Sequence, residues 1–91
     1  MKKIKIGIVD DNKDFCEVVS ENLSAQENME VVFTANDGQQ AIEEIKAGQC
    51  PEILILDLIM PHMDGFGVLE SLNNIQLPSY PRVIMTSAIG H

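Results

Sequence analysis

The run Ile53-Leu54-Ile55-Leu56 constrains this chain more than any other feature, because its apolar residues follow one another without a break and end on a carboxylate, Asp57. An apolar run without alternation describes a strand buried on both faces, as in the middle of a parallel sheet. Asp57 is then the point where that strand meets water. Beyond it, Pro61 cannot continue a ladder, and Asp64-Gly65 is a turn signal that can also open a helix. Open α/β sheets carry their chemistry at the carboxyl ends of such strands. A first apolar run, Ile4-Lys5-Ile6-Gly7-Ile8-Val9, likewise ends in Asp10-Asp11. If the two strands are neighbours, three carboxylates converge on one crevice.

Helical patterns alternate with the apolar runs. From Asp14 to about Ala25, the residues Phe15, Val18, Val19 and Leu23 recur at helical spacing and predict one buried face, with Glu17 and Glu21 on the other. Glu30 to Ala35 reads as a short edge strand. Asp37 is placed as the N-cap of a second helix, with Gln40 set for a capping box, Ala41, Ile42 and Ile45 as the buried stripe, and Gly48 as the stop. A third helix beginning after Asp64 and running to about Asn74 is expected to bury Phe66, Val68, Leu69 and Leu72. Val83-Ile84-Met85 reads as a fourth strand that ends in Thr86-Ser87-Ala88. Strands and helices therefore alternate from one end to the other. Right-handed crossovers turn that order into a flavodoxin-like, doubly wound parallel α/β sheet with strand order 2-1-3-4, whose switch point lies between the first and third strands. Asp10, Asp11 and Asp57 meet there.

Composition narrows the function classes. A chain of 91 residues supports one small domain. A net charge of -8 with only six Lys and Arg argues against a nucleic-acid surface. Cys16 and Cys50 suggest neither a disulfide framework nor a metal knuckle and read as free thiols. The longest apolar run falls short of the roughly 20 residues of a membrane span, and no signal peptide precedes the first strand. A soluble, cytoplasmic domain without membrane contact is the expectation.

Three carboxylates in contact repel one another by about 4 kcal/mol per close pair at an effective dielectric of 20, a large share of a small domain's stability. A divalent cation offsets that repulsion, and hard oxygen ligands with room for water select Mg²⁺. Asp11 and Asp57 are expected to coordinate it directly and Asp10 through water. The plainer alternative makes Asp10-Asp11 a helix cap and Asp57 a turn residue. Ser87, at the end of the fourth strand, is placed to hydrogen-bond a phosphoryl oxygen.

IVDDN at the first strand, LILDLIMPHMDG at the third and IMTSA at the fourth resemble the receiver domain of two-component response regulators along the whole chain. The run IMPHMDG resembles the receiver of the sporulation master transcription factor of endospore-forming bacteria. The resemblance implies that Asp57 accepts a phosphoryl group and that Asp10, Asp11 and the backbone carbonyl of Ile59 join it around Mg²⁺. It places Ser87, which directly precedes the Ala, at the Thr/Ser switch position. It also implies a histidine phosphotransfer protein or sensor kinase as donor, and DNA binding only through a C-terminal effector that this sequence does not include. Receivers continue through a further helix, a strand bearing a Lys that pairs with the phosphoryl group, and a last helix; here the only Lys after Lys13 is Lys46, on the second helix. Residues 1–91 are thus expected to be the N-terminal part of a receiver, about three quarters of it: either a piece of a longer protein or, on their own, a homodimer or strand-swapped oligomer that repairs an open sheet edge. Two alternatives stand beside this reading: a non-phosphorylated pseudo-receiver acting as a dimerisation module, and a haloacid-dehalogenase-like phosphatase. The receiver is expected to be a phosphoacceptor and not an enzyme.

Overall fold

Seven elements alternate along the chain: β1 (Ile4–Val9), α1 (Lys13–Ser24), β2 (Met29–Ala35), α2 (Gly38–Lys46), β3 (Ile53–Asp57), α3 (Gly65–Asn73) and β4 (Arg82–Thr86). The computed structural model describes residues 2–86, so Ser87 lies outside the described residues. All strand pairs are parallel, in the order β2-β1-β3-β4. This is the doubly wound arrangement expected of right-handed crossovers.

The two faces of the sheet carry separate clusters. Ile6 and Ile8 of β1 and Ile53 and Ile55 of β3 turn toward α1, where they pack with Cys16, Val19 and Leu23. Val9, Leu54 and Leu56 turn toward α2 and α3, where Ala41, Ile42, Ile45, Val68 and Leu72 complete a larger cluster. Along β2, Ile6 pairs with Val31 but Gly7 pairs with Phe33, so Val32 is one residue too many for the register. Such a bulge reverses the alternation of side chains. It sends Val31 to the α1 side and Phe33 to the other.

Four expectations are corrected. β3 is not buried on both faces, because Ile53 and Ile55 are only partly covered on the α1 side. Phe15 and Val18 do not belong to the buried stripe of α1: they are 38% and 56% exposed, and Cys16 takes the central place. The cause is helix phase: Cys16, Val19 and Leu23 face the sheet, Val18 lies one residue, about 100°, round from Val19, and Phe15, four residues before Val19, is left on the flank of the stripe. Phe66, expected in the core, is 64% exposed, and α3 is anchored instead by Val68 and Leu72 with Leu69 partly buried. Gln40 does not close a capping box on Asp37; its Oε1 accepts from the main-chain N–H of Asn36 at 3.0 Å.

The other helix signals hold. Asp37 accepts from the N–H of Gln40 at 2.8 Å and Asp64 from that of Gly67 at 2.9 Å, each as an N-cap. Gly48, at φ 103, takes the left-handed conformation that ends α2. Cys16 and Cys50 are free thiols. Among the described residues no helix is long and apolar enough to cross a membrane.

Candidate functional site: an acid cluster at the switch point

Register assembles the site. The last paired row across the sheet joins Ala35, Val9, Leu56 and Met85, and Asp57 is paired with Thr86. One step further along, Asp10 therefore falls between Asn36 and Asp57. The N–H of Asp10 donates to the Ala35 carbonyl at 3.0 Å and that of Leu58 to the Thr86 carbonyl at 3.0 Å, which carries the ladder one residue past the strands on either side of the acids. The chain order alone thus brings Asp10 and Asp57 side by side, with Asp11 next to Asp10.

One carboxylate oxygen from each of Asp10, Asp11 and Asp57 lies within 4.8 Å of the other two. Burial is graded: Asp57 is only 6% exposed, Asp10 is intermediate, and Asp11 is exposed. The bland role of a helix cap falls to Asn12, whose Oδ1 accepts from the N–H of Phe15 at 3.0 Å. Asp10 Oδ1 in turn accepts from the N–H of Asn12 at 2.9 Å.

The loop after β3 is built around Asp57. The N–H of Ile59 donates to Asp57 Oδ1 at 3.2 Å. The Gly65 N–H donates to the Leu58 carbonyl at 2.9 Å, folding the loop back on the strand end. A Cβ at Gly65 would sit 3.0 Å from both the Asp57 carbonyl oxygen and Leu58 Cα, so a larger residue would push this backbone off the strand end. Between them, Met63 N–H reaches the Pro61 carbonyl at 2.8 Å across His62, which holds φ 70 in a tight three-residue turn. A cavity of about 330 Å³ is lined by Asp37, Gly38, Gln39, His62 and Met63 and includes none of the three acids.

Burial raises the Asp57 carboxyl above its ordinary value; the Ile59 N–H bond acts the other way, and the charges of Asp10 and Asp11 add to the rise. A buried acid beside two others, each offering a carboxylate oxygen, fits a hard divalent cation such as Mg²⁺ better than a soft metal.

Reading the sequence missed two neighbours. The Asn36 Nδ2 donates to the main-chain carbonyl of Asp10 at 3.2 Å, and the Cys16 Sγ lies 3.3 Å from the same oxygen. Burial, followed by the Asp10 charge, pushes the Cys16 thiol up, keeping it a protonated donor. An Asn between a strand and a helix cap was the only signal for the first; nothing in the sequence marks the second.

Residues 6–90 match the model of the response regulator receiver domain family. Among solved structures, the chain is 36% identical to the signal receiver domain of the putative response regulator NarL from Mycobacterium tuberculosis (TM-score 0.85, covering 100% of this chain and 71% of that one). It is 28% identical to the response regulator domain of Thermotoga maritima CheB (TM-score 0.83, 99% and 64%). It is also 28% identical to a chain in the CheX-CheY-BeF3-Mg²⁺ complex from Borrelia burgdorferi (TM-score 0.79, 99% and 66%). The chain spans about two thirds of the length of these structures. By its alternating sheet, its acid cluster and the match over nearly all of its length, the chain belongs to the response regulator receiver domain family.

Proposed function

We propose that Asp57 is the phosphoacceptor of this receiver and that Asp10, Asp11, Asp57 and the carbonyl of Ile59 hold Mg²⁺ beside it. The observation that carries the reading is the meeting of three carboxylates within 4.8 Å, with the most buried of them at the end of the central β3. When bound, Mg²⁺ supplies the positive charge that lets an anionic nucleophile meet an anionic phosphoryl group. The chain's own part is positioning. The Ile59 N–H orients the Asp57 carboxylate, and Gly65 lets the loop pack tightly against the backbone of Asp57 and Leu58. An Asp57 oxygen attacks phosphorus and a P–O bond forms. The bond from phosphorus to the donor breaks, and its electron pair leaves on the histidine nitrogen of a phosphoprotein or on acetate from acetyl phosphate. Ser87 serves as the switch residue that hydrogen-bonds the transferred group.

The donor is a histidine phosphotransfer protein or sensor kinase, and the output is DNA binding by a C-terminal effector in the cytoplasm, with sporulation initiation as the pathway suggested by IMPHMDG. The receiver is a phosphoacceptor and not an enzyme with a separate substrate. Self-association through β4 belongs to the same proposal, since β4 is the outer strand among the described residues and exposes Ile84 and Met85. Sedimentation at micromolar concentration tests it, and a strict monomer would refute it.

Mass spectrometry after incubation with acetyl phosphate and Mg²⁺ tests the central assignment. The wild-type protein is expected to gain one phosphoryl group and Asp57→Asn none. Stoichiometric labelling of the variant would place the chemistry elsewhere.

A further inference from the structure

The carbonyl of Asp10 occupies an unusual place. In a parallel ladder, a residue whose N–H bonds to residue 35 would direct its carbonyl to the N–H of residue 37. Asp37 has left the ladder to cap α2. The side-chain amide of Asn36 replaces that missing rung, donating to the Asp10 carbonyl at 3.2 Å, while the Cys16 Sγ approaches the same oxygen from α1 at 3.3 Å. Asn36 is itself held, because its main-chain N–H donates to Gln40 Oε1 at 3.0 Å. Two side chains from different elements therefore clamp the peptide that joins Asp10 to Asp11.

We propose that Asn36 is a positioning residue for the acid cluster: with the Cys16 thiol, it fixes the Asp10–Asp11 peptide so that both carboxylates face Asp57 and can share one cation with it. The inference rests on the Mg²⁺ reading above. Its physical basis is general, since groups that orient metal ligands typically contribute about 10–100-fold to metal affinity. Asn36 touches no carboxylate of the cluster directly. Its effect passes through the backbone.

Calorimetric titration with Mg²⁺ tests it on the wild-type protein and on Asn36→Ala, Cys16→Ala, Cys16→Ser and Ile45→Val. Asn36→Ala is expected to weaken Mg²⁺ binding about tenfold. Cys16→Ala should weaken it less, since a thiol is a weak donor, and Cys16→Ser, which keeps a donor, should restore it. Ile45→Val loosens the core under α2 without touching Asp10 and should leave the affinity unchanged. Should Asn36→Ala lose its cooperative melt, Asn36→Ser, which is polar but too short to reach the carbonyl, is read in its place. Wild-type affinity in the Asn36 variant overturns this inference alone. Equal weakening by Ile45→Val also overturns it, because general loosening would then explain the loss. A wild-type protein that binds no Mg²⁺ overturns the metal reading and this inference together.

Discussion

The two faces of the sheet are built from the same strands and end up in different states. On the side of α2 and α3, Leu54 and Leu56 are 0% exposed, and Val68 and Ile45 close over them. On the side of α1, the neighbouring Ile53 and Ile55 are only partly covered, and Ile84 of β4 is 53% exposed. Alternate residues of one strand point to opposite faces, so Asp57 falls on the same side as Ile53 and Ile55. On the α1 side Ile6 and Ile8 of β1 are buried and the cover thins only at β3 and β4, and this is the side that carries the acids. Burial already penalises the charged form of Asp57, so a cluster that must meet a cation and a phosphoryl donor gains from having Asp10 half-buried and Asp11 exposed beside it.

The sharpest way to break this contrast is to shorten adjacent residues of β3. Leu56→Ala removes a fully buried side chain and is expected to cost about 2–5 kcal/mol in urea denaturation. Ile55→Ala, one residue away on the α1 side, should cost about half as much, since its site already admits water and cannot form a closed cavity. Equal losses would mean that the α1 face is as well covered in solution as the other.

The contrast was only partly legible in the sequence. The unbroken apolar run at Ile53–Leu56 revealed a central strand and its order in the sheet, and Asp57 and Asp10-Asp11 could be brought together from topology alone. How much of each face is covered could not be read, because Ile53 and Leu54 look alike in a sequence and differ only in what packs on them. Phe15, Val18 and Phe66 misled for a related reason. Helical spacing fixes which residues share a face, but a shift of one residue in helix phase moves that face by about 100°. Cys16 set the phase of α1 by its approach to the Asp10 and Ala35 carbonyls, a contact between distant residues that no local pattern announces. Asn36 was overlooked because its role depends on the end of a ladder and not on its own neighbours.

A second test turns on the acid that lies between the two regions. Burial, with the charges of Asp10 and Asp11, holds the Asp57 carboxyl above its ordinary value of 3.8, so the folded protein binds more protons than the unfolded chain between that value and the raised one. Stability contributed by this group is therefore fully present below about pH 3.8 and is lost as pH rises through the raised value. Without metal, Asp57→Asn should melt at a higher temperature than the wild-type protein at pH 7, and the difference should shrink as the pH falls toward 4 in a series of thermal melts. Mg²⁺ should narrow the same gap from the other direction by stabilising only the wild-type protein. A gap independent of pH would show that charge at Asp57 is not what separates the two.

The smallest expected effects test the exposed aromatic residues. Phe15 on α1 and Phe66 on α3 both look like core residues by spacing, and a buried Phe would cost about 3–5 kcal/mol on truncation. At 38% and 64% exposure, each has already kept much of its surface in water. Phe66→Ser should therefore change stability by no more than about 0.5 kcal/mol, as ordinary surface substitutions do. Phe15→Ser should cost slightly more, since the lower exposure of Phe15 leaves part of its ring packed, yet remain well below the loss for Leu56→Ala. Paired urea denaturation at low and high protein concentration is the useful measurement. Concentration-independent midpoints would confirm that these rings face solvent in a single copy. If Phe15→Ser were costly only at high concentration, the exposed surface of α1 around Phe15 would be covered by a second molecule, and two chains would meet there.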